Sequence, residues 1–375
     1  MTAFVVISAL VKIVVVLLLV LTSMLFLLWA ERRLSAMMQD RLGPMRSHLP
    51  LGNAKVALKG LLQPLFDMMK FVFQEDFVPP RADKLLHSLA PIIAVVPVIV
   101  SYAIVPWGGT LHLDYLWQQL PAEGAALTGA AIPLQIASLN VGFLLIFAMG
   151  GTGVVGSAIA GYGSDNKYSL LGGLRAASQM VSYEVVLGLS LVGCFVVYDS
   201  LLLEEMVQWQ IDNVWGFMVQ PVALVLFLAC STAETKRIPF DAPEAEAELV
   251  GGYILEFSSL KIMLFKMGEY FELVLSSVII VTLFFGGYHL PGLTPQGIEI
   301  GTLDLQLPLP HLLVLLIDVA VFVIKVAVVV WVQFIIRWTL PRFRYDQIMK
   351  LCWRYMLPLA LLNIFVTGVV VMLVQ

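Results

Sequence analysis

Charge is what this chain has least of: 13% of its 375 residues are Asp, Glu, Lys or Arg, against about a quarter in an ordinary soluble domain. Several stretches of 18 residues or more carry none at all, among them Ile13–Ala30, Ile132–Ala160, Asn213–Ala233, Leu273–Ile298 and Tyr355–Gln375. Together with a mean hydropathy of +0.92, these runs exclude a soluble fold. Cysteine is equally scarce. Cys194, Cys230 and Cys352 are far apart and form no CxxC, whereas an iron–sulfur cluster takes about four thiolates at tight spacing. No CxxCH for haem and no zinc pattern occurs. No iron–sulfur cluster, flavin, haem or metal is therefore expected in this chain, and any electron centre it serves lies on another one. The long apolar runs also argue against a membrane barrel, whose strands show as short alternating segments.

What remains is helix. A span needs roughly 20 apolar residues, and Pro, Gly and charge punctuation divide the chain into eight: 8–30, 85–106, 133–160, 175–198, 214–233, 252–287, 310–339 and 348–374. The first run is too long for the 7–15-residue core of a signal peptide, and "WAERR" is a poor cleavage site. The expected fold is an all-α polytopic membrane protein, a single membrane domain over 1–375. Basic residues orient it. Loop 31–84 holds nine, namely Arg32, Arg33, Arg41, Arg46, Lys55, Lys59, Lys70, Arg81 and Lys84. The loops after spans two, four and six hold no Lys or Arg, although they carry Asp114, Glu204, Glu205 and Asp304. The positive-inside rule then puts loops 31–84 and 234–251 in the cytoplasm and both termini outside. An even number of spans satisfies this.

Two segments predict unusual helices. Lys55, Lys59, Gln63, Asp67 and Lys70 recur every three or four residues opposite a Leu/Met face, the pattern of an amphipathic helix lying in the interface and kinked near Pro64. Residues 252–287 as one helix would run roughly 54 Å, against a hydrocarbon core near 30 Å. Such a helix must tilt, bend or begin outside the bilayer.

The stretch "AETKRIPFDAPEAEAELVGGY", 233–253, packs five carboxylates (Glu234, Asp241, Glu244, Glu246, Glu248) against Lys236 and Arg237. Glu184, Glu256, Glu269 and Asp318 fall inside predicted spans, where each charge costs about 2.5–3.5 kcal/mol on insertion scales. Structural ion pairing is one reading of any single residue, Glu269 with Lys266 for example. In aggregate the acids exceed the nearby bases, and crowded carboxylates repel, so some should hold protons near neutral pH. Asp318 and Lys325, seven apart, share a helix face. The pattern implies a hydrated acidic entrance on the cytoplasmic side.

That stretch resembles the signature loop of the quinone-chamber membrane subunit of respiratory complex I, the H subunit in bacteria and subunit 1 in mitochondria. Four further stretches agree in order: "AERR" with "QDRLGP" (30–44), "GLLQPLFDMMK" (60–70), "NKYSLLGGLRAASQMVSYEV" (166–185) and "RWTLPRFRYDQIMKLCW" (337–353). The resemblance implies a subunit of proton-pumping NADH:quinone oxidoreductase with quinone as substrate. Glu31, Arg32, Asp67 and Arg175 would border the quinone passage. Glu184, Glu234, Glu244, Glu246, Glu248 and Glu269 would form the acidic funnel coupling quinone chemistry to proton translocation, with Asp241, Glu256 and Lys325 as further coupling groups. Implied partners are the hydrophilic-arm iron–sulfur and quinone-site subunits, small membrane subunits and antiporter-like subunits, in a bacterial cytoplasmic (inner) membrane. Lys236 stands where the family has Asn, and the segment from Pro44 to Gly60 is longer than usual.

Other functions fit less well. The homologous membrane subunit of an energy-converting hydrogenase or formate hydrogenlyase usually loses much of the 233–253 loop. A secondary transporter often shows inverted repeats, and none is found here. A mere anchor has no use for costly buried carboxylates.

Overall fold

The computed structural model describes residues 2–45, 48–51, 54–57, 60–112, 131–294, 297–300, 305–308 and 310–374. Arg46, Lys59, Asp114 and Asp304 of the charge argument lie outside these. Helix dominates. Helix α1 (Thr2–Met38) leads to the short hairpin β1 (His48–Leu51) and β2 (Ala54–Ala57), then α2 (Gln63–Phe73) and α3 (Lys84–Ser101). A second small hairpin pairs β3 (Thr110–His112) with β4 (Ala131–Pro133). Next come α4 (Gly142–Gly163), α5 (Lys167–Tyr198), α6 (Leu203–Asp212), α7 (Gly216–Val219), α8 (Pro221–Glu234) and α9 (Glu246–Leu249). Helix α10 (Ser259–Phe284) precedes the antiparallel strands β5 (Leu293–Thr294), β6 (Gly297–Ile300) and β7 (Leu305–Pro308). The chain ends with α11 (His311–Thr339) and α12 (Tyr345–Val374), the latter carrying a π turn at Cys352–Met356.

Seven of these helices (α1, α3, α4, α5, α10, α11, α12) are long and apolar enough to cross a membrane. The segment predicted as a span over 214–233 is broken. Its apolar part is α8 alone, about 21 Å at 1.5 Å per residue and shorter than the hydrocarbon core. The break falls at Gln220, before Pro221. There the Gln220 amide donates to Thr367 Oγ1 (2.7 Å) and accepts from Asn363 (2.9 Å) on α12, replacing helical bonds with side-chain ones.

Two other expectations change. Lys55 lies in β2, and the helix begins only at Gln63, with Pro64 in its first turn. There a missing N–H breaks no helical bond, so Pro64 opens the helix instead of kinking it. The helix predicted over 252–287 starts at Ser259, because Gly252–Ile254 forms a separate 3₁₀ turn. Helix α10 is thereby roughly 39 Å long, close to what a tilted span needs.

Helix α10 is the axis of the molecule. It packs against α3, α8, α11 and α1, and its second half, Leu273–Phe284, is buried throughout. Small residues bring the other helices close. A Cβ on Gly156 of α4 would sit 2.8 Å from Ala94 N of α3, and one on Gly161 would sit 3.0 Å from Gly173 Cα of α5. Such contacts are the usual basis of tight packing between apolar helices.

Candidate functional site

The acidic loop is folded by what lies under it. Gln179 of α5 donates to the carbonyls of Ala233 and Phe240 (both 2.8 Å), pinning the loop at two points. Gly252 takes φ +63°, and a Cβ there would lie 1.8 Å from Pro243 O, so only glycine lets the chain fold back on itself. Tyr253 is thus buried beneath the loop, where its hydroxyl donates to Glu244 (3.0 Å) and accepts from Lys236 (3.3 Å).

This fold sorts the carboxylates into distinct settings. Glu246 and Glu248 are exposed, and Glu248 pairs with Arg175 of α5 at 2.6 Å. Asp241 meets Arg342 at 2.9 Å, yet its Oδ1 is buried without a hydrogen-bond partner. Burial pushes its carboxyl up to about 6 from the usual 3.8, the guanidinium of Arg342 notwithstanding. Glu244 goes the other way. Burial alone would raise it, but the Lys266 ammonium at 2.8 Å outweighs burial and holds it below the usual carboxylate range. Lys266 also donates to buried Glu269 at 2.9 Å. One lysine therefore joins the loop to a carboxylate within α10.

A second ionic knot ties four elements. Glu31, buried near the end of α1, accepts from Arg237 (3.1 Å), from Tyr270 Oη (2.7 Å) and from Arg337 of α11. Arg237 lies over the Tyr270 ring at 4.4 Å. Next to it Arg32, exposed, pairs with Asp67 of α2, which also accepts from Gln63 at 3.2 Å. The excess of acid over base in 233–253 is thus local to the sequence. Cations from α5, α10 and the 340s loop answer most of it.

Three carboxylates packed around α4 stay outside that balance. Among the described residues, Glu184 of α5, Glu234 at the end of α8 and Glu272 of α10 make no ion pair. All three face one side of α4. Cβ atoms on Gly150, Gly151 and Gly153 would meet Glu234 Oε1 at 3.3 Å, Glu184 Oε1 at 2.9 Å and Glu272 Oε1 at 3.7 Å. Glu234 and Glu272 also line a cavity of about 50 Å³ with Ser101, Gly150 and Ser276. Glu272 was not among the expected site residues. Its i,i+3 spacing from Glu269 was the available signal, since that spacing puts both on one helix face.

The remaining predicted residues lie elsewhere. Glu256 accepts from Asn166 at 2.6 Å, beside His87, which stacks on Phe257 at 4.1 Å. Lys325 donates to the carbonyls of Phe285, Gly287 and His289 (2.7–3.0 Å). These carbonyls belong to the C-cap of α10 and the turn that follows it, roughly 24 Å along that helix from Glu269. Asp318 lines a cavity at the same end with Glu204, His289 and His311.

A family model described as NADH dehydrogenase matches residues 11–368. The chain is 41% identical over 367 residues to the NADH-quinone oxidoreductase H subunit 1 of Geobacter sulfurreducens, covering 98% of this chain and 96% of that protein. It is 39% identical over 345 residues to the protein of that name from Cytophaga hutchinsonii, covering 92% and 91%. To the H subunit 2 of Koribacter versatilis it is 41% identical over 371 residues, covering 97% of each.

Proposed function

The chain belongs to the NADH dehydrogenase family, and from that premise we propose that it is the membrane subunit of NADH:quinone oxidoreductase that forms much of the quinone chamber and couples quinone reduction to proton translocation. The observation that carries the coupling reading is the pair of salt bridges from Lys266, to Glu244 in the loop and Glu269 in α10. A charge appearing near the loop alters Glu244, and Lys266 transmits the change to the membrane interior. At an effective dielectric of about 20, unit charges roughly 8 Å apart interact by about 2 kcal/mol, or about 1.5 pKa units. That suffices to move a proton between neighbouring carboxylates.

Quinone is the substrate in this reading, and Glu31, Arg32, Asp67 and Arg175 border its path at the loop end of the bundle. Helix α2 lies in the membrane interface. Its Leu65, Met69, Val72 and Phe73 are exposed and apolar, which suits burial at the acyl boundary. The basic loop 31–84 docks the hydrophilic arm carrying the iron–sulfur chain, and antiporter-like subunits and small membrane subunits adjoin the bundle. Helices α7 and α8 together complete an eighth crossing, so both termini lie outside a bacterial cytoplasmic membrane and the acidic loop inside.

The test is Lys266→Met in the whole complex. The reaction of NADH with a hydrophilic artificial acceptor should persist, while quinone-dependent turnover and proton pumping fall about tenfold or more. Normal turnover and stoichiometry in an assembled variant would overturn the reading.

A further inference from the structure

Glu272 sits in mid-helix on the most buried helix of the molecule, roughly 20 Å from its start. A buried carboxylate without its hydrogen bonds is costly, and Glu272 Oε2 is buried with no partner. Three features give it a setting. The glycines of α4 leave open the space that side chains at 150, 151 and 153 would fill, and the freed face is occupied by carboxylate oxygens. The cavity shared by Glu272 and Glu234 has room for a few waters, since one needs about 10–15 Å³. Ser101 and Ser276 add hydroxyls to its wall. The charged groups acting on Glu272 are Glu234, Lys236 and Arg237, so it sits between the loop cations and the carboxylates of α5 and α8 that face α4. A purely structural acid would be expected to close on one of those cations, yet it pairs with neither.

We propose that Glu272 is a proton-transfer residue that extends the carboxylate relay from Glu234 to the middle of α10, an inference that rests on the coupling role proposed above. In the step, the O–H bond of a protonated Glu234 carboxyl breaks and a cavity water takes that proton. The same water releases one of its own protons, which forms a new O–H bond on the Glu272 carboxylate. Glu234 ends as carboxylate and Glu272 as neutral acid, with no electron transferred. Glu184, on the same glycine face one position from Glu234's contact, receives or returns the proton on the α5 side.

The experiment places Glu272→Gln, Glu272→Asp and Glu234→Gln in the intact complex in inverted membrane vesicles. Readouts are quinone-dependent NADH oxidation, acidification per NADH, the reaction with hexaammineruthenium(III), and the redox-difference infrared spectrum. Glu272→Gln should assemble and keep the hexaammineruthenium rate, lose about threefold or more of quinone turnover and pumping, and lose one carboxyl C=O band. Glu272→Asp should restore much of the rate and shift that band, which a merely structural role would not do. Normal pumping and an unchanged spectrum in Glu272→Gln, with Glu234→Gln impaired, would end the relay at Glu234 and overturn this inference alone. Normal behaviour of both variants would remove the coupling reading and this inference with it. If Glu272→Gln fails to assemble, the infrared band of Glu272→Asp decides: shifted supports the role, unchanged overturns it.

Discussion

Glu31 and Arg237 stand 206 positions apart in sequence and meet at 3.1 Å, each nearly closed to solvent. Arg337 shares the same carboxylate, so one acid bridges two guanidiniums contributed by the 234–245 loop and α11. Removing one partner of a buried ion pair leaves the others uncompensated, at a cost of about 3–5 kcal/mol. Glu31→Ala should therefore abolish assembly of the subunit, and Glu31→Gln, which keeps the hydrogen-bond acceptor, should reduce it less. Blue-native electrophoresis of solubilised membranes measures both. Wild-type levels of assembled complex in Glu31→Ala would show that the knot is dispensable.

The Arg175–Glu248 pair predicts the opposite balance. Glu248 is exposed and Arg175 half-buried, and pairs open to solvent contribute about 1 kcal/mol or less. Arg175→Ala should leave assembly and the artificial-acceptor reaction near wild type. Because Arg175 borders the proposed quinone path, the KM for a short-chain quinone should rise about tenfold. A change in assembly without a change in KM would make the pair structural.

Much of this site could be read before any fold was known, and the reason is energetic. A carboxylate in an apolar chain is expensive wherever it sits, so Glu184, Glu234, Glu244 and Glu269 announce themselves by type alone. Their partners do not. Lys266 pairs with Glu269 at a helical spacing that sequence displays, but its bond to Glu244 depends on the fold-back at Gly252. Lys325 is legible by type in the same way, but the backbone carbonyls of Phe285, Gly287 and His289 that take its three donors are visible only in the fold. Apolar periodicity located the long helices. It missed the break at Gln220, where hydrogen bonds to α12 replace helical ones. It also carried Lys55 into a helix, though strand β2 holds it.

Asp241 and Glu244 give the loop opposing pH dependences. Asp241 is raised to about 6 in the fold from the usual 3.8. Its folded state thus favours the neutral acid, and the stability it contributes is present at low pH and lost as pH rises through about 6. Glu244 is held below the usual 4.5, so its contribution is present above that value and disappears as pH falls through its depressed one. Asp241→Asn should flatten the dependence between about pH 4 and 6, while Glu244→Gln should weaken the loop at neutral pH. Limited proteolysis of the 241–251 segment across pH follows both. An unchanged profile in Asp241→Asn would assign that limb to another group.

Two glycine substitutions separate packing from chemistry. A Cβ on Gly172 of α5 would lie 2.5 Å from Tyr253 N and 2.6 Å from Gly252 Cα, against backbone that cannot yield. Gly172→Ala should cost about 1–3 kcal/mol through overpacking and lower assembly. The nearest atoms to a Cβ on Gly151 of α4 would be those of the Glu184 carboxyl, Oε1 at 2.9 Å, the far end of a flexible side chain. Gly151→Ala should therefore assemble normally. It displaces the Glu184 carboxyl from the face it shares with Glu234, so proton pumping should fall several-fold while the artificial-acceptor rate holds. Pumping and quinone turnover in Gly151→Ala, each normalised to assembled complex, are the quantities to compare. Normal values for both would mean that the carboxylates of this face work without the geometry the glycines permit.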